Sequence, residues 1–540
     1  NGPVGGASTA GPGAPLLSRG PRSPLPPREP QCDRPSQAGL PLASSSLESP
    51  ADPPSQRALP ALSSSPLSAA AAAAGTGTTA QPTPVVAHGF KWELADVLQP
   101  IGGPAARGQW SVRTLGGEIT TEGGDSVGTG RTRPPLDYFL AVFPPDQLTR
   151  MVVLTSARLV VKGHPTTTPG EVLKFFGILL LSTRFEFGTR AELWSTTPRT
   201  KHLPAPAFGC STGMPRRRFD TLWSCLAFSQ SNSGDADAPD PGSEQRRWGL
   251  VNDFVRSINA HRAANVTPGD TICVDESISR WYGQGGHWIS RGLPNYVAID
   301  RKPENGCEIQ DAACGRSGIM LRLHVVTTSA DQHASFTEEE RAGAHGTVIM
   351  MRLVEPWSGT DRIVCADSYF ASVGAAMALK AAGLRFIGVV KTEHRLFPLA
   401  FLSARELCGR GDQVTMVHRD ESGRPDLMAV VWVDRERRYF IASASSNQPG
   451  TPYERLRWRE TEEGGAQRVS LIVRQPRVAE IYYGCCSQID RHNRCRQDDL
   501  RLEKKLGTHD WSTRVNHSLL GICLVDSWML YHGARGPAAT

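Results

Sequence analysis

An apolar, β-branched run that stops on an acid constrains this chain more than any other feature. Arg362-Ile-Val-Cys-Ala-Asp367-Ser-Tyr-Phe370 is followed by small residues at helical spacing, Ala371 to Lys380, then by Gly383 and a second apolar run, Leu384 to Val390. This predicts a strand, a helix and a strand, with Asp367 at the carboxyl end of the first strand. In open α/β sheets that end faces the crevice where ligands gather. Taken alone, Asp367 reads more often as the N-cap of the next helix than as a chemical group. A second acid in a similar setting changes the balance: Thr271-Ile-Cys-Val274 is a short strand that ends in Asp275-Glu276.

The elements between these two acids have an order. Apolar runs at Asn295 to Ile299, Glu308 to Ala313 and Ile319 to Thr327 continue the first strand as an antiparallel meander, the last two joined by Gly315-Arg-Ser-Gly318. A helical stretch from Ser335 to about Val354 leads to the Asp367 strand. Three strands, a helix, a strand, a helix and a strand is the order of a ribonuclease H-like core. There the first strand and the strand after the helix are neighbours, so Asp275 and Asp367 are expected to meet.

The remaining chain divides by pattern. Residues 1–89 form a Pro-, Gly-, Ser- and Ala-rich tail, expected to be disordered because it cannot bury enough apolar surface to offset the entropy of ordering. Residues 90–133 read as a poorly patterned linker. Within it, Gly124 to Thr132 imitates a phosphate loop, but its spacing is wrong and Arg131 stands where Lys belongs. Residues 134–265 are mostly helical; Thr168-Pro169-Gly170-Glu171 gives a capping Thr, a first-position Pro and a Glu three residues on. The core is assigned to 266–392 and 475–540, interrupted by a β-rich insertion at 393–474. Asp490 leads into a helix, with Asn493 one turn later on the same face. A last apolar helix, Ser518 to Tyr531, closes the chain.

With 540 residues, 39% of them hydrophobic, the chain can hold two to four domains. No apolar run is long enough to span a membrane, so no membrane partner is expected. A net charge of +6 is compatible with nucleic acid without demanding it. Twelve cysteines without a CxxC pair read as reduced intracellular thiols.

From about Pro134 to His532 the chain resembles the piggyBac-type transposases, a family of DDE enzymes. The resemblance rests on ordered segments: Tyr138-Phe139, Phe175 to Leu179, Arg217 to Asp220, Asp275-Glu276, Lys302-Pro303, Asp367 to Phe370, Ile489-Asp490, and Trp511 to Arg514 before Leu530-Tyr531. It implies an α/β fold with a ribonuclease H-like catalytic core, a helical N-terminal domain for dimerisation and DNA binding, and a β-rich insertion. It implies a catalytic triad of Asp275, Asp367 and Asp490, with Asn493 as a further metal ligand. The cofactor would be Mg²⁺ or Mn²⁺, hard cations suited to oxygen ligands. The partners would be double-stranded DNA, as transposon ends and a TTAA target, and a second copy of the chain, in the nucleus. Excision would pass through a hairpin. The family often has an acid where Asn493 stands, and Asn supplies no charge. It also typically carries a cysteine-rich C-terminal zinc module, which the chain as given is expected to lack. A domesticated, non-catalytic DNA-binding protein, or a nuclease of the same fold, are the competing readings.

Other features have two readings each. Cys485, Cys486, His492 and Cys495 suggest a zinc site or, on the plainer reading, buried thiols. Trp281 and Trp288, near Arg280 and Arg291, would either clamp DNA or pack the loop after the first strand. Arg216 to Arg218, and Lys391 with Arg395, would either touch phosphate or face solvent.

Overall fold

The computed structural model describes residues 84–535, apart from 103–108, 115–116, 121–123, 126–132, 199–203, 231–243, 283–296, 299–304, 328, 392–393, 461–464 and 509. Nearly all of the expected disordered tail, and Trp288, Arg291, Lys302 and Pro303, lie outside the described residues.

The chain opens with β1 (Val85–Ala87), β2 (Phe90–Leu94), β3 (Ser111–Thr114), β4 (Gly117–Thr120) and β5 (Gly124–Asp125). Helices α1 (Pro135–Val142), α2 (Pro145–Val161) and α3 (Pro169–Ser182) each begin on a proline, whose missing N–H costs nothing at the first helical position. Thr168 caps α3 by accepting from the Glu171 N–H at 3.2 Å. The return half of a capping box is replaced by a longer-range contact. Arg218 donates to both carboxylate oxygens of Glu171 at 2.7 Å and to the carbonyls of Pro165 and Thr166. Arg218 thereby holds the Glu171 carboxyl below the usual carboxylate range. After α4 (Phe208–Thr212), this arginine ties α5 (Arg216–Cys225) to the start of α3, so within the Arg216 to Arg218 run it serves packing. Phe175 and Phe219 stack at 4.7 Å, and Phe254 and Ile258 of α6 (Glu244–Asn265) are fully buried.

Next come β6 (Val266–Thr267), β7 (Thr271–Arg280), β8 (Val297–Ala298), β9 (Asn305–Cys314) and β10 (Met320–Val325). Helices α7 (Ser329–Ala334), α8 (Glu338–Ala342) and α9 (His345–Val354) lead to β11 (Ile363–Ala366), α10 (Val373–Ala381) and β12 (Arg385–Val390). After α11 (Leu399–Ser403) come β13 (Gln413–Arg419), β14 (Pro425–Val433), β15 (Arg437–Ala442), β16 (Tyr453–Glu460) and β17 (Ala466–Val473). The chain ends with α12 (Arg477–Cys486), α13 (Gln488–Arg494), a π-helical turn Cys495–Leu500, α14 (Leu502–Lys505) and α15 (Trp511–Arg535). The last helix thus starts at Trp511, earlier than the apolar run suggests.

One large mixed sheet organises these elements, in the order β1-β2-β13-β14-β15-β12-β11-β7-β9-β10. At its centre β7 lies parallel to β11 and antiparallel to β9, and β11 lies parallel to β12. Ile272, Cys273 and Val274 are buried, as a strand covered on both faces requires.

Two expected boundaries differ from the structure. β13, β14 and β15 extend the main sheet, because β15 pairs antiparallel with β12. Of the strands in 393–474, only the β16–β17 hairpin forms a sheet of its own. Apolar runs such as Leu427 to Trp432, buried throughout, are central strands, and a small separate subdomain could not cover both of their faces. The stretch read as an unpatterned linker holds β2, which pairs with β13 and buries Trp92, whose Nε1 donates to the Leu396 carbonyl at 3.0 Å. Gly124 and Asp125 pair with β4 within a second sheet, β5-β4-β3-β6.

Candidate metal centre

The β7–β11 register explains why two acids distant in sequence meet. Ala366 opposite Val274 is the last pair of that parallel ladder. The next residue on each strand is Asp367 and Asp275. Carboxylate oxygens of Asp275, Glu276 and Asp367 all lie within 4.8 Å of one another, and no other such group of His, Cys, Asp or Glu occurs among the described residues.

Backbone donors fix two of the three carboxylates. Asp275 Oδ1 accepts from the Glu276 N–H at 2.9 Å. Asp367 Oδ1 accepts from the Tyr369 N–H at 2.9 Å, while the N–H groups of Phe370 and Ala371 donate to the Asp367 carbonyl. Asp367 therefore shapes a tight turn between strand and helix. It is not the N-cap of α10: Ser372 is, with Oγ accepting from the Ala375 N–H at 3.0 Å. Ser372→Ala is expected to cost about 1 kcal/mol in chemical denaturation. An unchanged midpoint would show that this cap contributes nothing.

The electrostatics match a cation site. Burial, then the neighbouring Glu276 charge and more weakly that of Asp367, pushes Asp275 up to about 9. Burial and the Glu276 charge also raise Glu308 on β9. Burial raises the Tyr369 phenol, with the charges of Glu308, Glu276 and Asp367 adding to it. Acids crowded in this way repel one another, and a bound cation relieves that cost. The ligand set is all carboxylate oxygen, which suits Mg²⁺ or Mn²⁺ and not a soft metal.

Asp490 does not join this group. It is exposed on α13, which packs on β7 and β9. Cys486 senses both sides: burial first, with the charges of Cys273, Asp275 and Asp490, pushes its thiol up to about 12. Asn493, half-buried, accepts from Arg496 Nη2 at 3.3 Å through its Oδ1. The structure thus brings together Asp275 and Asp367 with Glu276, and leaves Asp490 and Asn493 on the helix above them.

The other sequence candidates separate. His492 lies with Nε2 3.1 Å from Asp526 Oδ1, and both side chains are fully buried. Cys485 is buried beside Cys273 and Cys365, so these side chains serve the core and converge on no common metal position. Trp281 packs against the core, and Lys391 and Arg395 are exposed. Sequence reading missed Glu308 and Asp311; two acids in an otherwise apolar strand, Glu308-Ile-Gln-Asp311-Ala-Ala-Cys314, were the available signal.

Three comparisons bear on this architecture. Residues 134–528 match the DDE family model described as Transposase IS4. The chain is similar to the Homo sapiens PiggyBac transposable element-derived protein 2, 23% identical over 371 residues that cover 67% of this chain and 55% of that protein. It therefore spans about half the length of that relative. It is also similar to a piggyBac transposase solved by cryo-EM in a synaptic complex with hairpin DNA. That match has a TM-score of 0.53 and 18% identity and covers 74% of this chain and 75% of the other, a likeness of fold alone. With the family model running from Pro134 to Trp528, through both strands that carry the paired acids, the chain belongs to the piggyBac-type DDE transposase family.

Proposed function

We propose that this protein is a metal-dependent DNA transposase of the piggyBac type, cleaving DNA strands and joining them at TTAA sites. The carrying observation is that Asp275 and Asp367, in successive register on parallel neighbouring strands, meet with Glu276 within 4.8 Å. The strand order β12-β11-β7-β9-β10 supports reading this part of the sheet as a ribonuclease H-like core. Asp275, Asp367 and Asp490 are assigned the catalytic carboxylates, with Asn493 a further neutral oxygen donor. A divalent cation, when bound, supplies Lewis-acid stabilisation of charge on phosphoryl oxygens.

The chain's own residues supply the rest. The turn at Asp367 fixes one of its oxygens. Asp275 carries a proton at neutral pH without a cation and must release it to act as a ligand. Asp490 rides on α13 and is brought to the other two by movement of its side chain or helix. The DNA-bound state of the piggyBac transposase that shares the fold supports DNA as the partner. A homodimer and a nuclear location follow from the same family reading.

Two features favour the domesticated, non-catalytic alternative: Asn493 brings no charge, and Asp490 stands outside the acid group. A strand-cleavage and strand-transfer assay on TTAA-flanked element ends with Mg²⁺ separates the two. The enzyme reading expects Mg²⁺-dependent nicking that Asp367→Asn reduces on the order of 10³-fold. Cleavage by the natural sequence that survives EDTA, or that Asp367→Asn leaves intact, sinks it; no cleavage at all favours the alternative.

A further inference from the structure

We propose that Asp311 is a positioning residue of the cation site, a buried carboxylate whose charge is directed at Asp275 from behind. This inference rests on reading Asp275, Glu276 and Asp367 as a cation site. Asp311 lies on β9 directly opposite Asp275 in the antiparallel β7–β9 ladder. Partners opposite each other in such a ladder project from the same face, with Cβ atoms roughly 4.5–5.5 Å apart. On that face Cys273, two residues before Asp275, shares a core cluster with Ile489 of α13, the Asp490 helix.

Asp311 is fully buried, and neither of its carboxylate oxygens meets a cationic or backbone donor among the described residues. Such a group is unusual, since buried carboxylates are normally paired. The opposite charges closest in effect are Arg496 and Arg262. Both guanidinium groups already have carboxylate partners. Arg262 pairs with Asp526 at 2.6 Å and donates to the Met320 carbonyl at 2.6 Å. Arg496 pairs with Glu503 and donates to the Ile278 carbonyl at 2.9 Å and to Asn493. Their Nε atoms, although unpaired, do not reach Asp311. Two neutral pairs therefore surround one surplus carboxylate, and the Ser277 hydroxyl on the same face favours its charged form.

A surplus buried negative charge next to an acid group costs stability unless something positive answers it. Within the chain burial disfavours that charge, and Ser277, Arg496 and Arg262 favour it without outweighing burial. A divalent cation held by Asp275, Glu276 and Asp367 would answer it. Asp311 then acts through Asp275: its charge strengthens cation binding at the site without touching the ion, as supporting carboxylates behind metal ligands do.

The test is Mn²⁺ binding to the full chain, followed by the EPR signal of free Mn²⁺, with thermal melts alongside. Asp311→Asn is expected to weaken Mn²⁺ binding about 10- to 100-fold, with a melting temperature in EDTA equal to or above that of the natural sequence. A purely structural role would lower the melting temperature and leave affinity of the folded protein unchanged, and that outcome overturns the proposal. If Asp311→Asn does not fold, Asp311→Glu and Asp311→Gln differ in charge alone; the Glu variant should bind Mn²⁺ at least about 10-fold more tightly, and equal binding overturns the proposal. Asp275→Asn is the control for the underlying reading. If it binds Mn²⁺ as tightly as the natural sequence, the cation site itself is wrong. If it abolishes binding while Asp311→Asn does not weaken it, only the role of Asp311 fails.

Discussion

In cation-free buffer at pH 8, Asp275→Asn is expected to melt at a higher temperature than the natural sequence, and to lose Mn²⁺ binding on the order of 100-fold. Both effects have one origin. Burial, reinforced by Glu276, pushes Asp275 up to about 9, whereas in the unfolded chain it ionises near the ordinary value of about 4. Between those values the unfolded chain releases a proton that the folded chain keeps. The unfolded state thus binds fewer protons, and the stability of the cation-free protein falls as pH rises from about 4 to about 9. Asn keeps the shape and cannot ionise. The advantage of the variant is near zero at pH 4 and grows with pH. A cation reverses the ranking, because it requires the carboxylate and must expel its proton. The affinity of the natural sequence for Mn²⁺ should therefore rise by up to about tenfold per pH unit between about 5 and 9. Melts of both proteins at pH 5 and pH 8, with EDTA and with Mn²⁺, check all of this. A variant less stable than the natural sequence at pH 8 in EDTA would contradict the electrostatic account of the site.

The paired acids were legible because each ends an apolar run at the right point of a local pattern, and such patterns need no knowledge of distant strands. The run Ile363 to Ala366 followed by the Val373–Ala381 helix is one case, and Thr271 to Val274 is another. What a local pattern does not carry is register. That Asp311 falls opposite Asp275, and that Glu308 lies diagonally from Glu276, two residues from its partner Gln310, depends on how β7 pairs with β9. The strands of 393–474 were visible one by one, but their pairing to β12 is a long-range contact that adjacent residues do not encode. Phe90 to Leu94 alternates apolar and charged residues as an edge-side strand should, yet its five residues sit among glycine-rich segments that hide the period. Asp490 shows the same limit from another side. Its helix follows from the sequence, whereas the distance between that helix and the acid group is set by packing between α13, β7 and α15.

That packing depends on a buried charge, which makes Asp526→Ala the most destabilising single change expected. Asp526 on α15 is fully buried and meets three other elements. It pairs with Arg262 of α6 at 2.6 Å, accepts from the Met320 N–H of β10 at 2.9 Å, and lies 3.1 Å from His492 Nε2 of α13. Removing it leaves the Arg262 guanidinium buried with only the Met320 carbonyl and the Cys523 sulfur as acceptors. Stranding one charge of a buried pair costs about 3–5 kcal/mol, far more than forming the pair contributes. Arg262→Met combined with Asp526→Leu removes both charges and should recover much of that loss, although the Met320 N–H stays unanswered. Urea denaturation of the two single variants and the double variant measures the coupling; additive losses would show that the pair is not a unit. His492 is two residues from Asp490 on α13. Losing Asp526 should therefore also speed amide exchange along α13 ahead of the main sheet, because the contact that seats the helix is gone while the β7–β11 ladder is untouched.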